Sequence, residues 1–250
     1  MHHDFARRRF HAFLAAVALG LFGAWPQIAQ AAEFSVTPIR VELKPGTLSE
    51  TITVTNHAQA RLRVSMKLVE WTQDPTGKDV YKESSDLIYF PRQMELGPDS
   101  KRLVRVGLRT PAGSMERAYR LFIEEEPEPN PSGRSQVALY FRFGVPIFLP
   151  PAAPRPQLEV MEPVLHLGKL AIRVKNGGNQ HVRLEKLTVQ NGAGYSQDVN
   201  GWYSLAGTER TYFVDIPSDV CRKSSVLSIG VEGPGVRLDR AINVSAAGCA

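Results

Sequence analysis

Cysteine is nearly absent from this 250-residue chain, which holds only Cys221 and Cys249. There is no Cys-x-x-Cys pair and no His-x-x-x-His pair, so no metal site of familiar spacing can be assembled. Of the six histidines, His2, His3 and His11 fall at the extreme N-terminus, and His57, His166 and His181 are scattered. No Gly-x-Ser-x-Gly elbow occurs, and Gly192-Ala193-Gly194 lacks the strand-to-helix setting of a phosphate loop. The formal charge of +5 is spread along the chain, with no Lys/Arg run interleaved with aromatics, which excludes a nucleic-acid surface of the usual kind. Nor does any stretch read as an amphipathic helix of ten or more residues. These absences leave no catalytic residue, no metal ligand, no cofactor and no small-molecule substrate to assign; the chain reads as a non-enzyme.

What is present begins with a leader. Arg7, Arg8 and Arg9 precede an apolar run from Ala12 to Trp25, Pro26 ends it, and Ala29-Gln30-Ala31 supplies a small-x-small cleavage site. The run is about 14 residues, short of the roughly 20 that span a bilayer. Residues 1–31 therefore read as a cleaved signal peptide with the mature chain starting at Ala32 or Glu33, and the protein is expected outside the cytoplasm. In an oxidising compartment an even cysteine pair is expected to be bridged, so Cys221 and Cys249 are assigned a disulfide.

Beyond the leader the hydrophobic period is two. Residues 35–43, 51–56, 61–69, 100–108, 118–124 and 136–149 alternate apolar and polar positions between Pro, Gly, Asn and Asp punctuation, the pattern of a β-sandwich. Pro150-Pro151-Ala152-Ala153-Pro154-Arg155-Pro156 is a stiff spacer. After it the strand pattern resumes at 158–161, 169–175, 182–190, 201–203, 211–216, 225–231 and 240–244, with Asn176-Gly177-Gly178-Asn179 read as the turn between two of these strands. The expected architecture is all-β: two immunoglobulin-like β-sandwich domains joined by a Pro-rich linker, at 32–150 and 157–250 with the linker at 151–156. The acidic, Pro-rich segment 124–133 is expected to be a surface loop between neighbouring strands.

The strand after this loop stands out. Val137, Leu139, Phe141, Phe143 and Val145 form an apolar row at every second position, opposite Ala138, Tyr140, Arg142 and Gly144. A long core strand buried on one face is the plain reading. Its position, last in its domain between a loop and the linker, also suits a sheet edge that another chain could extend.

The segments 99–106, 119–127 and 145–149, together with the opening Ser35-Val36-Thr37-Pro38-Ile39-Arg40-Val41, resemble the periplasmic chaperones of chaperone–usher pilus systems, the PapD-like superfamily, with the archaic branch nearest. The resemblance implies a chaperone that binds, folds and caps pilus subunits by donor-strand complementation and delivers them to an outer-membrane usher. It implies that the row Val137, Leu139, Phe141, Phe143 and Val145 fills a groove in the subunit. It also implies that Arg40 grips the subunit's C-terminal carboxylate, since a planar guanidinium makes two charge-assisted bonds to a carboxylate. The classical branch adds a lysine late in the donor strand, where this chain has Pro146; Arg120 is the replacement candidate, with Arg142 behind it. Glu116 matches an acid of a domain-bridging ion pair whose arginine partner here is Pro150, so no bridge is carried over. The alternative is an exported adhesin or carbohydrate-binding module, with Trp71, Trp202 and Tyr203 as an aromatic platform.

Overall fold

The computed structural model describes residues 34–44, 46–109, 111, 113–126 and 140–249. The expected leader at 1–31, Val137 and Leu139 lie outside them. In the first half ten strands are described: β1 (Phe34–Thr37), β2 (Val41–Glu42), β3 (Ser49–Asn56), β4 (Leu62–Gln73), β5 (Asp79–Glu83), β6 (Leu87–Phe90), β7 (Gln93–Leu96), β8 (Lys101–Leu108), β9 (Arg117–Glu125) and β10 (Arg142–Leu149). They form two facing sheets, β1-β3-β8-β6 and β2-β10-β9-β4-β5, with β7 paired to β4. The period-two alternation decides which side chains meet. Ile52 lies opposite Val104 in the β3–β8 ladder, and these two with Val54 and Val106 face a core that Val64, Met66, Leu121, Ile123 and Ile147 fill from the other sheet.

Strand β9 is unusual because it is buried on both faces from Ala118 to Ile123, Arg120 included. Its odd-numbered residues enter the first core. Tyr119 donates its hydroxyl to Asp86 at 2.8 Å, and burial, aided by that bond, pushes its phenol far above the ordinary value.

The second half repeats the architecture with β11 (Leu158–Val160), β12 (Val164–His166), β13 (Lys169–Asn176), β14 (Val182–Arg183), β15 (Lys186–Gln190), β16 (Ser196–Asn200), β17 (Tyr203–Ser204), β18 (Glu209–Asp215), β19 (Val226–Gly233) and β20 (Val236–Asn243). Strand β13 pairs with β11, β12 and β18, while β16-β15-β19-β20 form the facing sheet and β14 pairs with β17. Leu170, Ile172, Val174, Leu187, Val189, Leu227 and Ile229 make the second core. Two short helices, Ser218–Lys223 and Ala246–Cys249, are joined by the expected disulfide between Cys221 and Cys249, 28 residues apart in sequence.

Residues 176–179 do not turn a hairpin. The ladder partners of β13 are β11, β12 and β18, so the chain leaves β13 for β14, which pairs with β17. Asn176 is fully buried there. Its Nδ2 donates to the carbonyls of Gln180 and Ser204, at 2.8 and 3.0 Å, and its Oδ1 accepts the Gly178 N–H. The first half uses the same device at the end of β3. Asn56 donates to the carbonyls of Ala60 and Gly97 and accepts from the Ala58 N–H. Each asparagine satisfies the backbone where a strand must leave its ladder inside a core.

A third, small apolar cluster joins the two sandwiches: Trp71, Ala118 and Phe148 from the first, and Leu205 with Tyr203 from the second. His181 stacks on Phe148 at 3.7 Å between centroids, nearly parallel. Its Nδ1 and its backbone N–H both reach Glu116 Oε1, at 2.7 and 2.8 Å. The domain bridge not expected at Glu116 is therefore present, with His181 of the second sandwich in place of an arginine. Gln73 adds a polar stitch: its Nε2 donates to the Tyr203 carbonyl, and its Oε1 accepts from the Leu205 N–H and the Thr208 hydroxyl. At the tip of the β4–β5 hairpin, Gly77 has φ +81° and lies against Arg210, so a Cβ there would meet the Arg210 Cα at 2.7 Å.

Three outcomes follow. Asn56→Ala leaves buried carbonyls and an N–H without partners and is expected to cost about 2–3 kcal/mol in denaturant unfolding; a loss below about 0.5 kcal/mol would contradict this account of the strand end. His181→Ala removes the stacked ring and leaves the buried Glu116 Oε1 with only the residue-181 backbone N–H, for an expected loss of about 2–3 kcal/mol, whereas Glu116→Gln with His181 retained should cost less. Reducing the Cys221–Cys249 bridge should lower stability by about 3 kcal/mol; denatured protein from an oxidising compartment should show no labelled thiol until reductant is added.

Candidate functional site

An open cleft of about 790 Å³ lies between the sandwiches. Arg40 and Arg120 both line it, joined by Arg183 from the second sandwich. The two arginines singled out in sequence, 80 positions apart, thus share one site, but in different states.

Arg40 follows the exposed Ile39 at the mouth. Its guanidinium is paired with Glu42 at 3.3 Å, and its side chain is 42% exposed. Such a surface pair contributes little and exchanges readily. Arg120 is only 8% exposed. Its guanidinium carbon lies 4.0 Å from the Trp71 ring centre, 5.5 Å from Trp202 and 5.6 Å from Tyr81. Nη1 donates to the Tyr81 hydroxyl at 2.9 Å, and Nε is buried with no hydrogen-bond partner. No carboxylate pairs with Arg120 among the described residues. Burial pushes the Tyr81 phenol up, an effect the Arg120 charge offsets in part, so Tyr81 stays a neutral acceptor.

This arrangement follows from β9. Because side chains alternate, Arg120 leaves the core face on which Tyr119 and Leu121 lie and emerges on the sheet's outer face, beside Trp71 of β4 and Tyr81 of β5. Gly144 on the adjacent β10 makes the room: a Cβ there would approach the Arg120 Cδ and the Phe122 ring at 3.1 Å. Arg142, the second substitute considered from sequence, is elsewhere. It pairs with Glu124 at 2.7 Å and stacks on Phe122, away from the cleft.

Next to the cleft, the side of β10 away from β9 has no pairing strand at residues 142–146 among the described residues. The Phe141 carbonyl accepts from the Glu125 N–H, on the β9 side, and the Phe148 carbonyl accepts from the Leu43 N–H, on the other. Alternation then turns the backbone groups of Arg142 and Gly144 outward, away from β9. Strand β2 covers this edge only at Ile147 and Phe148. Pro146, which has no N–H, sits where the covering begins.

The apolar row divides. Val145 is 2% exposed and is part of the first core, opposite Leu121 in the β9 ladder. Phe143 packs edge-on against Phe34, with ring centroids 4.9 Å apart, and with Phe141 it is half-buried at the rim of that core. Trp71, one of the three rings of the alternative platform reading, is 1% exposed and packs with Tyr203 in the seam between the sandwiches. The described residues include no group of three or more metal-ligating side chains. Sequence reading missed Trp71, Tyr81 and Trp202 as the walls around Arg120. The one signal on offer was an arginine inside an otherwise apolar strand; its partners, up to 82 residues away, carry no mutual spacing.

Residues 33–155 match the family model for the pili and flagellar-assembly chaperone, PapD N-terminal domain. No curated protein matches the chain. Among solved structures, it matches a chain of the CsuC–CsuE chaperone–tip adhesion subunit pre-assembly complex from the archaic chaperone–usher Csu pili of Acinetobacter baumannii. Identity there is 20%, over 74% of this chain and 91% of that one, with a TM-score of 0.55. It matches a chain of the Salmonella enterica SafA pilin–SafB chaperone complex at 15% identity, over 86% and 99%, with a TM-score of 0.56. The CupB2 chaperone of Pseudomonas aeruginosa matches at 16% identity, over 84% and 100%, with a TM-score of 0.53. These likenesses establish a common fold of two immunoglobulin-like sandwiches. Residues 33–155 thus form a PapD N-terminal domain of the pili and flagellar-assembly chaperone family.

Proposed function

We propose that this protein is a periplasmic chaperone that captures pilus subunits, holds them folded and passes them to an outer-membrane usher. It is exported by a leader at 1–31, carries its sandwiches at 32–150 and 157–250 around a linker at 151–156, and acts by binding, without a catalytic step. The observation that carries this reading is Arg120. A guanidinium removed from water and left without a carboxylate is costly to maintain. An incoming carboxylate supplies the missing charge and charge-assisted hydrogen bonds in a site where both are strong.

In this reading the C-terminal carboxylate of a subunit enters the cleft and meets Arg120, while Arg40 exchanges Glu42 for the ligand at the mouth. The strand leading to that carboxylate lies along the free edge of β10, on the outward backbone groups of Arg142 and Gly144. Val137 and Leu139 supply apolar side chains to the subunit, and Phe141 and Phe143 continue the row at the rim. Val145 anchors the strand and donates nothing.

Co-expression with neighbouring pilus-subunit genes, followed by recovery of complex from the periplasm, tests the reading. Arg120→Leu keeps the bulk in the cleft and is expected to reduce subunit recovery by about tenfold or more at unchanged chaperone yield. Arg40→Ala should have a smaller effect, because its guanidinium is already half in water. Undiminished recovery with Arg120→Leu would rule out carboxylate capture there. Phe141→Ala with Phe143→Ala should lower both chaperone melting temperature and subunit recovery; unchanged recovery per folded molecule would remove these two rings from the donor row.

A further inference from the structure

The walls around Arg120 come from both sandwiches. Trp71, Tyr81 and Arg120 itself belong to the first, but Trp202 precedes β17 in the second. The Trp202 indole N–H donates across the seam to Asp79 Oδ2 at 3.0 Å. Asp79 also accepts from Gln73 Nε2 at 3.1 Å, and Gln73 is itself bonded to the Tyr203 carbonyl. The indole is thus oriented by a carboxylate of the opposite sandwich, while its ring lies 5.5 Å from the guanidinium carbon and 6.5 Å from the Trp71 ring. Trp202 is 38% exposed and lines the cleft, whereas Trp71 is enclosed, so Trp202 is the wall on the ligand's side.

A guanidinium between aromatic faces is held in place by its attraction to the ring quadrupoles, and planar rings fix its orientation. With Nη1 committed to Tyr81 and Trp71 on one side, the direction left to the remaining N–H groups depends on Trp202. We infer that Trp202 is a positioning residue for carboxylate capture: it aims Arg120 into the cleft, and through it capture depends on the second sandwich standing against the first. This inference rests on the reading of Arg120 as the carboxylate anchor.

The test uses the full mature chain and two small probes, N-acetylvaline, which ends in a carboxylate, and its primary amide. Binding is followed by titration of side-chain N–H resonances. The unsubstituted chain is expected to prefer the acid by about tenfold; no preference would overturn both the anchor and the inference. Arg120→Leu should abolish the preference, and its persistence would defeat the reading of Arg120 and the inference with it. Trp202→Leu, which keeps apolar bulk without a π face, should lower the acid-to-amide affinity ratio about fivefold, a ratio in which any general loss of binding cancels. Trp202→Phe, which restores a ring but not the bond to Asp79, should recover most of it. If Arg120→Leu abolishes the preference and Trp202→Leu does not, the inference alone is wrong. Equal losses in Trp202→Leu and Trp202→Phe also overturn it, because the ring would then not be what matters. Independently of any variant's folding, the Trp202 indole N–H of the unsubstituted chain should shift with the acid and not with the amide; an indole indifferent to the acid overturns the inference.

Discussion

The contact on which the rest depends is the apolar seam of Trp71, Ala118, Phe148 and Leu205. Each sandwich has its own core and its own buried asparagine at a strand end, so each is complete as a packed unit. Neither is complete as a site. The cleft, the walls around Arg120 and the flank of the β10 edge exist only while the two are held together. The seam does this by several unlike means: apolar contact, the His181–Phe148 stack, the Glu116 bridge and the triple use of Gln73. Apolar contact alone would leave the relative angle loosely specified. The directional bonds of Gln73 and His181 restrict it, in the way that polar groups inside an apolar interface impose geometry.

The electrostatics of the cleft are asymmetric. Arg40 has its own carboxylate and its own water, whereas Arg120 has aromatic faces and a tyrosine hydroxyl. Aromatic rings stabilise a cation without neutralising it, so the charge stays available in an environment where ionic attraction is less screened than at the surface. This explains how one strand can carry an arginine inside a run of buried residues with no ion pair among the described residues, and why Gly144 faces it: a Cβ there would press on the Arg120 Cδ and the Phe122 ring.

Much of the fold was legible in sequence because its signal is local. The alternation at 51–56, 100–108 and 169–175 reappears as β3, β8 and β13, since a sheet with one face buried demands that period. The strands that went unread, β5, β6, β7, β12 and β16, are short or carry little apolar contrast between faces, as Asp79–Glu83 and Ser196–Asn200 illustrate. Asn176-Gly177-Gly178-Asn179 has the composition of a hairpin turn. What it does instead is set by Asn176, whose partners at Gln180 and Ser204 become neighbours only in the folded chain. The site was legible in part. Arg40 and Arg120 were identifiable one by one, but the rings around Arg120 and the His181 partner of Glu116 come from distant segments that no spacing connects. Val145 shows the limit of periodicity: the same alternating row describes a donor surface and a core face, and only burial separates them.

Pro146 gives the edge of β10 a fixed end. The row of outward N–H groups is interrupted there, and from Ile147 onward β2 already pairs along that side. A strand laid on this edge is therefore measured from one stop, with its last residues beside the cleft and the rest counted back past Gly144 and Arg142. Because side chains alternate, a visitor displaced by a single residue would turn its apolar side outward. Under the proposed function the edge would act as a ruler, checking the length and frame of a strand laid along it before any individual side chain is recognised.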